Sequence, residues 1–525
     1  MTASHNLYAA LRAAFPADLD AIAVEATAPD GTPLAYSWRD LDHASARLAN
    51  LLASLDLPAG SRIAVQVEKS VEALLLYLAT LRAGHVFLPL NTAYQSAEIA
   101  YFVGNAEPAV FVCTPGNFGW VSKIAFQAGT RHVFTLGDDR SGSLLERAAH
   151  FGDAQEVVAR RAGDVASIIY TSGTTGRSKG AMLTHGNLLT NAAMLKDYWG
   201  WTTTGGPEGQ GDVLIHALPI FHVHGLFVAI HGALLNGSKM LWLARFDPRA
   251  VIAAMARATV FMGVPTLYVR MLAEPSLTRE ACGSMRLFIS GSAPMLIETF
   301  RAWQERTGHA ILERYGMSET VMLTSNPYDA DARYGGQAER RGATVGFPLP
   351  GVDLRVADAQ DKPLSAEEIG GIQVRGPNVF QGYWRMPEKT AEEFTPDGWF
   401  RTGDVGQQDA RGYVSIVGRS KDLIISGGYN VYPAEIEGYA NELAGVDESA
   451  VVGVPHPDFG EVGVLVVIPK PGAKLEPASL VDALKGRLAH FKIPKRCFVA
   501  QELPRNTMGK VQKNVLREHY KDLFS

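Results

Sequence analysis

The sequence predicts an α/β protein: a large N-terminal domain of helix-covered parallel sheets with a small β-rich subdomain, followed by a small, mobile, mixed α/β C-terminal domain. Three observations predict this architecture. The chain has 525 residues, which is long for a single hydrophobic core. Apolar strand-like runs alternate with helix-like runs over its first part, whereas strands shorten and turns multiply from 343 to 417. A polar, glycine-rich stretch at 418–428 follows, so we expect one domain over 1–418 and another over 419–525.

The elements of the first part follow a strand–helix–strand order. Leucine and alanine residues form one apolar stripe on a helix over 41–55, and Pro294 suits the first position of a helix over 294–303. The remaining helices are predicted over 71–84 and 226–235, and the strands over 62–67, 86–90, 109–113, 165–170, 181–185, 212–219, 239–244 and 286–290. Because a crossover helix joins parallel strands, this order predicts parallel sheets covered by helices.

The C-terminal segment predicts a small domain of its own. Two long apolar strands over 448–456 and 462–469 are followed by helices over 479–491 and 514–520. Ahead of it, residues 328–342 are polar and predict a surface loop, and we assign no role to 332–342.

Composition excludes several classes of protein. The formal charge of −5 gives no basic footprint for nucleic acid. Three widely spaced cysteines form no disulfide or zinc pattern, which is typical of a reducing compartment. The richest apolar run, at 74–81, is too short to cross a membrane, and the N-terminus lacks the features of a signal peptide. We therefore expect a cytoplasmic protein.

The segment YTSGTTGRSKG at 170–180 is the most informative motif. Its glycines allow a tight turn with exposed N–H groups, its hydroxyls add donors, and Lys179 adds a positive charge. It differs from the G-x-x-x-x-G-K-[ST] loop, and the residues after it continue as a strand instead of starting a helix. The pattern predicts a glycine-rich hairpin over a polyphosphate; a flexible linker is the alternative.

Four further segments carry candidate polar groups. ERYGMSET at 313–320 offers a carboxylate beside hydroxyls, which suits Mg²⁺ shared with phosphate but equally suits a helix cap. Asp404 lies in GWFRTGDVG, where it is either a ribose acceptor or a turn residue. The stretch 418–437 contains Arg419 and Lys421, and Lys510 lies in a Gly-Lys turn near the C-terminus. Each of these signals is weak when it is taken alone.

Together these segments resemble, in order and over nearly the whole chain, the acyl-adenylate-forming superfamily of acyl-CoA synthetases, adenylation domains and firefly luciferase. The resemblance rests on YTSGTTGRSKG, YGMSE, TGD, GRSKD and NTMGK. It implies two half-reactions. A carboxylate attacks the α-phosphate of MgATP to give an acyl-AMP and pyrophosphate, and after the C-terminal domain rotates, the thiol of CoA attacks the acyl-AMP.

The resemblance also implies a role for individual residues. The β- and γ-phosphates are assigned to Thr171, Ser172, Gly173, Thr174, Thr175, Gly176, Lys179 and Ser318, and Mg²⁺ to Glu319. Adenine is assigned to Gly291, Ser292, Ala293, Pro294, Tyr315 and Gly316, and ribose to Asp404 and Arg419. Lys421 is the hinge residue, Gly427 and Gly428 admit the pantetheine of CoA, and Lys510 bridges the substrate carboxylate and the α-phosphate.

The acid pocket is expected to contain His222, Val223, His224, Arg286, Ser290 and Met317. The two histidines alone suggest zinc, but no third ligand has suitable spacing. On its residue type alone, Arg286 is either a two-pronged partner for a second carboxylate or a strand-edge surface arginine. The sequence around these residues resembles the malonate-activating branch of the superfamily. This resemblance favours Arg286 as the partner of a second carboxylate. Val223 replaces the threonine expected there, which leaves acceptance of methylmalonate open.

The leading hypothesis is a malonate–CoA ligase, with catalytic roles for Lys510, Glu319 and Lys179. The alternatives are the same chemistry on another short or aromatic acid, an adenylation domain that loads a carrier protein, and a non-catalytic nucleotide-binding protein. Malonate, ATP and CoA are the expected small-molecule partners, with no nucleic acid and no membrane. In related enzymes the lysine matching Lys510 can be acetylated, which implies a lysine acetyltransferase and deacetylase as partners.

Overall fold

The computed structural model describes residues 5–171, 178–206, 209, 211–329, 339–427, 429–485, 487–506 and 509–524. The chain forms two compact units. The first contains Met1–Asp353 and Arg375–Phe394, and the second contains Leu354–Val374 and Thr395–Ser525. The four-stranded β-rich part therefore groups with the C-terminal residues, while the boundary after residue 418 and the hinge remain predictions. Over the described ranges, no helix combines the length and apolar character that a membrane span needs.

The first unit is built around two sheets. Up to the glycine-rich segment its elements are α1 (Leu7–Ala13), β1 (Ile22–Thr27), β2 (Pro33–Ser37), α2 (Trp38–Ala53), β3 (Arg62–Gln66), α3 (Val71–Arg82), β4 (Val86–Pro89), α4 (Ser96–Ala106), β5 (Val110–Cys113), α5 (Phe118–Gln127), β6 (His132–Thr135), α6 (Ser143–Ala148) and β7 (Val165–Thr171). After it come β8 (Lys179–Thr184), α7 (His185–Tyr198), β9 (Val213–His216), α8 (His231–Asn236), β10 (Lys239–Trp242), α9 (Pro248–Ala254), β11 (Val260–Gly263), α10 (Pro265–Leu272), β12 (Leu287–Ser290), α11 (Ile297–Thr307), β13 (Leu312–Tyr315), β14 (Thr324–Ser325), β15 (Phe347–Pro348), β18 (Gly382–Tyr383) and α12 (Pro387–Glu393).

The strands of the first unit are mostly parallel, as the sequence predicts. One sheet has the order β18-β8-β7-β4-β3-β5-β6, and the other has the order β15-β14-β13-β12-β11-β9-β10-β1-β2. Within them, β3 to β6 pair in parallel, as do β9 to β13. Apart from the half-buried edge strand β6, these strands are buried and mostly apolar, which is typical of parallel sheets covered on both faces.

Helix α3 explains the richest apolar run of the sequence. Every residue from Val71 to Arg82 is buried, so the helix is part of the core. The hydroxyl of Tyr77 lies 2.7 Å from Nε2 of His231 and so connects α3 to α8. The run at 74–81 is therefore a core element of a two-sheet unit.

The second unit has two smaller sheets. Its elements are β16 (Asp353–Ala357), β17 (Gly370–Arg375), β19 (Phe400–Gln408), β20 (Val414–Arg419), β21 (Ile424–Ser426), β22 (Tyr429–Val431), α13 (Pro433–Asn441), β23 (Val446–His456), β24 (Gly460–Pro469), α14 (Pro477–Lys485), β25 (Arg496–Val499) and α15 (Lys513–Tyr520). One sheet has the order β16-β17-β19-β20, and in the other β24 is the shared partner of β21, β23 and β25. Apolar cores cover both faces of the β23–β24 ribbon.

The predicted fold class is confirmed, and two details differ. Helix α11 begins at Ile297, so Pro294 lies three residues ahead of it in an extended, exposed segment instead of at its first position. The chain from His224 to Ile230 is π-helical before α8 begins, whereas a regular helix is predicted there. Both departures lie at the carboxyl ends of parallel strands, the edge at which α/β sheets bind ligands.

Candidate active site

The two arms of the predicted phosphate hairpin are present. Strands β7 and β8 are antiparallel, and Thr171 pairs directly with Lys179. The intervening candidates Ser172, Gly173, Thr174, Thr175 and Gly176 lie outside the described residues. Lys179 is therefore the first residue of β8, opposite the last residue of β7. The assignment of the loop between them to phosphates remains a prediction.

Lys179 and Glu319 are brought together through Tyr383, a residue that the sequence did not single out. Strand β18 pairs with β8, with Tyr383 opposite Ala181. The Lys179 ammonium lies 4.2 Å from the centre of the Tyr383 ring and 3.0 Å from the Glu393 carboxylate. The Tyr383 hydroxyl donates to Glu319 Oε1 at 2.9 Å. One tyrosine thus links the two charged groups that were predicted from distant motifs.

Glu319 fits a magnesium-binding role. Its side chain is buried, and its main-chain carbonyl accepts a hydrogen bond from Phe380 N at 2.7 Å. Burial, and then the neighbouring Glu319 charge, raise the pKa of Tyr383, so that hydroxyl stays a donor. A carboxylate oriented by a hydroxyl donor is the oxygen ligand that Mg²⁺ prefers. Ser318 beside it is half-buried, and Met317 is too.

The predicted adenine segment leaves the end of β12 in an unusual conformation. Ser292 has a φ of 70°, a left-handed conformation that is costly for a residue with a side chain. Its hydroxyl lies 3.4 Å from Nδ1 of His224, and the pairing of β12 with β13 brings Gly291 beside the Arg314 side chain. Tyr315 ends β13 half-buried. The segment Gly291–Pro294 is therefore held at the sheet edge beside the expected acid pocket.

The Glu313 side chain connects β13 to the backbone of two neighbouring segments. It is buried in β13 and accepts hydrogen bonds from the backbone of Met295 and Ala343. Burial raises the pKa of Glu313 to about 8, and the two backbone donors oppose the shift. Burial therefore favours the protonated form of Glu313.

Two histidines of the expected acid pocket differ in burial: His224 is buried and His222 is half-buried. His224 is buried, and burial, followed by the positive charge of Arg314, lowers its pKa well below the usual value. His222 is half-buried, with its ring 4.6 Å from that of Phe221. Val223 between them is buried. Their place in an acid pocket remains a prediction, and the described residues contain no cluster of His, Cys, Asp or Glu able to hold a metal.

The prediction that Arg286 binds a second carboxylate is wrong. Its guanidinium is already paired with the fully buried Asp212, with Nε and Nη2 donating to the two carboxylate oxygens at 2.7 and 2.6 Å. Nη1 donates to the Trp199 carbonyl at 3.0 Å, and the Tyr328 ring lies 4.9 Å away. Arg286 precedes β12, so it lies at the amino end of that strand, whereas the binding edge is at the carboxyl end.

Arg314, unlike Arg286, is a buried arginine with donors available for a second carboxylate. It lies in β13 with 3% of its surface exposed, and Nε and Nη2 have no hydrogen-bond partner within the described part of the chain. Burial lowers its pKa to about 9. A Cβ atom on Gly291 would lie 2.5 Å from the guanidinium, so the group rests directly against the predicted adenine segment. A buried cation without a counter-ion is costly unless a ligand supplies one.

Other polar groups near Arg314 are also unsatisfied. The hydroxyl of Ser290 and Nε2 of His224 are buried and lack hydrogen-bond partners among the residues that the structure describes. Ser290 is in register with Glu313 and therefore faces the side of the sheet opposite Arg314, whereas His224 lies close enough for the charge of Arg314 to lower its pKa. The sequence held a signal for Arg314: LERY is a buried parallel strand, where a charged residue is unexpected.

The second unit contains the predicted ribose pair. Asp404 and Arg419 lie opposite each other on β19 and β20, with Arg419 Nε 3.0 Å from Asp404 Oδ1. The Asp404 side chain is buried and that of Arg419 is largely exposed. Lys421 lies in a short 3₁₀ turn that follows Arg419. The structure thus confirms that Asp404 and Arg419 are neighbours but does not test their ligand.

Gly427 and Lys510 both lie in tight turns of the second unit. Gly427 has a φ of 56°, donates to the Phe459 carbonyl at 2.8 Å, and has the Phe459 ring 3.3 Å from its Cβ position. Gly428 lies outside the described residues. Lys510 is exposed at the end of a turn in which its N–H donates to Asn506 Oδ1 at 3.0 Å and Asn506 N donates to its carbonyl. This turn presents the lysine side chain at the surface of its own unit.

Comparison with known proteins identifies the family. The AMP-binding enzyme family matches residues 13–384, and the AMP-binding enzyme C-terminal domain matches residues 435–510. This chain belongs to the AMP-binding enzyme family. It is therefore an AMP-forming acid–CoA ligase, and the resemblance to adenylate-forming enzymes is confirmed.

Three relatives place the chain more finely within this AMP-binding family. ATP-bound MatB from Rhodopseudomonas palustris is 52% identical with a TM-score of 0.93, over 100% of both chains. A malonate–CoA ligase from Arabidopsis thaliana is 33% identical, over 87% of this chain and 78% of its own. A feruloyl-CoA synthase from Amycolatopsis sp. is 34% identical, over 93% and 94%. Because two relatives of nearly the same identity, 33% and 34%, carry the names of different acids, the pocket must guide the choice of substrate.

Proposed function

We propose that this protein is a malonate–CoA ligase. It converts malonate, ATP and CoA into malonyl-CoA, AMP and diphosphate through a malonyl-adenylate. One carboxylate of malonate attacks the α-phosphorus while the bond to pyrophosphate breaks, and the CoA thiol then displaces AMP from the acyl carbon. The similarity to malonate–CoA ligases and the chemistry of the acid pocket support this choice.

The observation that carries the proposal is the buried guanidinium of Arg314, whose Nε and Nη2 have no hydrogen-bond partner among the described residues. The only carboxylate of a monocarboxylic acid reacts at the α-phosphorus, so no negative charge is left to pair with the buried guanidinium of Arg314. Malonate keeps a second carboxylate, which can accept two parallel hydrogen bonds from Nε and Nη2. His224, whose pKa is held low by burial and by Arg314, supplies a further polar contact without adding charge. A charge-assisted contact of this kind contributes ~1.5–3 kcal/mol as a whole, enough to favour malonate over acids that lack the second carboxylate.

Adenylation needs positive charge around the phosphates, because the transition state gathers negative charge on their oxygens. We assign Lys179 and the glycine-rich loop to the β- and γ-phosphates, together with Ser318. A magnesium ion held by Glu319 would neutralise part of this charge. We assign Lys510 to the bridge between the attacking carboxylate and the α-phosphate. The adenine segment Gly291–Pro294 with Tyr315 and Gly316, and the pair Asp404 and Arg419, are assigned to the adenosine.

Thioester formation requires Lys510 to leave and CoA to enter. Lys421 is the proposed hinge, which is supported by its position in a short turn directly after β20. Gly427 and Gly428 are the proposed passage for pantetheine, and the left-handed φ of Gly427 disfavours a side chain there, whose Cβ would lie 3.3 Å from the Phe459 ring. A moving domain explains how one lysine serves the first half-reaction and is absent from the second.

Two accessory assignments follow from this proposal. We place the enzyme in the cytoplasm, which is supported by three buried free cysteines, whose pKa values are raised by burial. We also propose Lys510 as a target of acetylation and deacetylation, since its side chain is exposed in a turn. Acetylation would remove the charge that adenylation needs.

A panel of acids tests the proposal. Pyrophosphate release is measured with ATP and malonate, methylmalonate, succinate, acetate or benzoate, with CoA and with a phosphopantetheinylated carrier protein as alternative acceptors. We expect malonate and CoA to give the highest kcat/KM. Preference for benzoate or acetate would favour another acid, transfer only to the carrier would favour a loading domain, and no malonate-dependent release would contradict the proposal.

A further inference from the structure

Glu393 occupies an unexpected place beside a predicted phosphate-binding lysine. It is the last residue of α12, and its Oε1 lies 3.0 Å from the ammonium of Lys179, which is 214 positions away in sequence. The two side chains are 25% and 20% exposed, so water screens this ion pair only in part. A carboxylate at this point has the same sign of charge as the phosphates that Lys179 is assigned to bind.

The resting position of Lys179 is well defined. The Tyr383 ring lies under the ammonium at 4.2 Å, and β18 fixes that ring by pairing with β8. The Trp384 N–H donates to the carbonyl of Gly180, which extends the same pairing by one residue. The lysine side chain is therefore held between an aromatic face and a carboxylate, so Glu393 is part of a built arrangement.

We propose that Glu393 is the resting counter-ion of Lys179, which competes with the polyphosphate for the ammonium and so promotes pyrophosphate release. When ATP binds, the ammonium turns toward the phosphates and Glu393 is left with its longer ion pair to Lys389, at 3.9 Å. When pyrophosphate leaves, Glu393 takes the ammonium back. This inference rests on the assignment of Lys179 to the β- and γ-phosphates in the proposed function. Glu393 acts through Lys179 and is a positioning residue.

The competition has a measurable consequence. A carboxylate within ion-pair distance of the ammonium opposes the binding of a polyanion in two ways, because it occupies the cation and repels the incoming charge. Removing its charge while keeping its shape should strengthen pyrophosphate binding. A purely structural role predicts the opposite or no change, because glutamine weakens the contact that anchors the end of α12.

The test compares Glu393→Gln with Glu392→Gln. Glu392 is adjacent, carries the same charge, is exposed and pairs with Lys389 at 2.6 Å, so it controls both for net charge and for Lys389, which also lies 3.9 Å from Glu393. The dissociation constant of inorganic pyrophosphate, in buffer with Mg²⁺, is measured by titration calorimetry on the full-length enzyme. Thermal melts confirm that both variants fold.

We expect Glu393→Gln to bind pyrophosphate about five- to tenfold more tightly, where tenfold corresponds to about 1.4 kcal/mol. Glu392→Gln should stay within about twofold of the parent, and the gain should shrink as salt is raised, since screening weakens both attraction and repulsion. Pyrophosphate should inhibit Glu393→Gln at correspondingly lower concentration. Equal or weaker binding by Glu393→Gln than by Glu392→Gln would overturn the inference.

Lys179→Met separates failure of this inference from failure of the function beneath it. If Lys179→Met leaves pyrophosphate affinity unchanged, the assignment of Lys179 to phosphates is wrong and the inference falls with it. If Lys179→Met weakens binding while Glu393→Gln matches Glu392→Gln, only the role of Glu393 is wrong. In the Lys179→Met background, Glu393→Gln should change affinity by less than about twofold, because the shared ammonium is gone.

Discussion

Arg286 and Arg314 should respond in opposite ways to the same substitution. Replacing Arg286 by Met leaves the fully buried Asp212 with hydrogen bonds from Thr202 N and Thr259 Oγ1 but without a counter-charge. Breaking a buried pair in this way costs about 3–5 kcal/mol. Replacing Arg314 by Met removes a buried cation whose Nε and Nη2 have no hydrogen-bond partner among the described residues, so stability should be unchanged or higher.

The effect on substrate choice should be reversed. Arg314→Met removes a charge-assisted contact to the second carboxylate, which contributes ~1.5–3 kcal/mol, so kcat/KM for malonate should fall about 10- to 150-fold. Propionate, which lacks that carboxylate, should lose nothing. Arg286→Met should keep the ratio of malonate to propionate, because its guanidinium contacts only Asp212, the Trp199 carbonyl and the Tyr328 ring in the described structure.

Two assays decide between these outcomes. Urea unfolding gives the stability of each variant, and pyrophosphate release with each acid gives the specificity ratio. If Arg286→Met is too unstable to assay, a double variant with Asp212→Asn removes both charges and should recover part of the loss. An unchanged malonate-to-propionate ratio in Arg314→Met, or a ratio that collapses in Arg286→Met, would refute this assignment.

Four further outcomes are expected. Because Arg314 is charged only below its pKa of about 9, the KM for malonate should rise as pH increases through that value, and a flat profile would count against its role. Tyr383→Phe keeps the ring but removes the donor to Glu319, so half-maximal pyrophosphate release should need about tenfold more Mg²⁺, and an unchanged requirement would separate Tyr383 from metal binding. Glu313→Gln mimics the protonated acid. The raised pKa of Glu313 stabilises the parent at low pH, and this stabilisation is lost as pH rises from about 4.5 to 8. In urea unfolding the variant should therefore gain stability relative to the parent over that range, and a pH-independent difference would contradict the raised pKa. Lys510→Ala should abolish adenylation yet still convert supplied malonyl-AMP with CoA; loss of both steps in a folded variant would contradict domain rotation.

Local patterns predicted the elements well because each depends on neighbours in sequence. The hairpin of β7 and β8, the parallel strands from β3 to β5 and the buried helix α3 follow from periodicity and glycine placement. The prediction that Pro294 begins a helix was wrong because proline also suits a non-helical segment ahead of a helix, and α11 begins only at Ile297.

The acid pocket could not be predicted from adjacency in sequence. Arg286 and Gly291 are five residues apart in sequence, but they lie at opposite ends of strand β12. That strand spans four residues, or about 13 Å at 3.3 Å each. Arg314 is distant in sequence yet lies beside Gly291, because β13 pairs with β12. The contact of Lys179 with Glu393 likewise depends on the pairing of β18 with β8, which no local signal reveals.

The most direct test of malonate recognition compares malonate with its monomethyl ester. The ester keeps the length and the attacking carboxylate but removes the second charge. For the wild-type enzyme we predict a kcat/KM for malonate at least about tenfold higher in ATP-dependent pyrophosphate release, and a ratio near one for Arg314→Met. Equal use of the two acids by the wild-type enzyme would contradict recognition of a second carboxylate by this pocket.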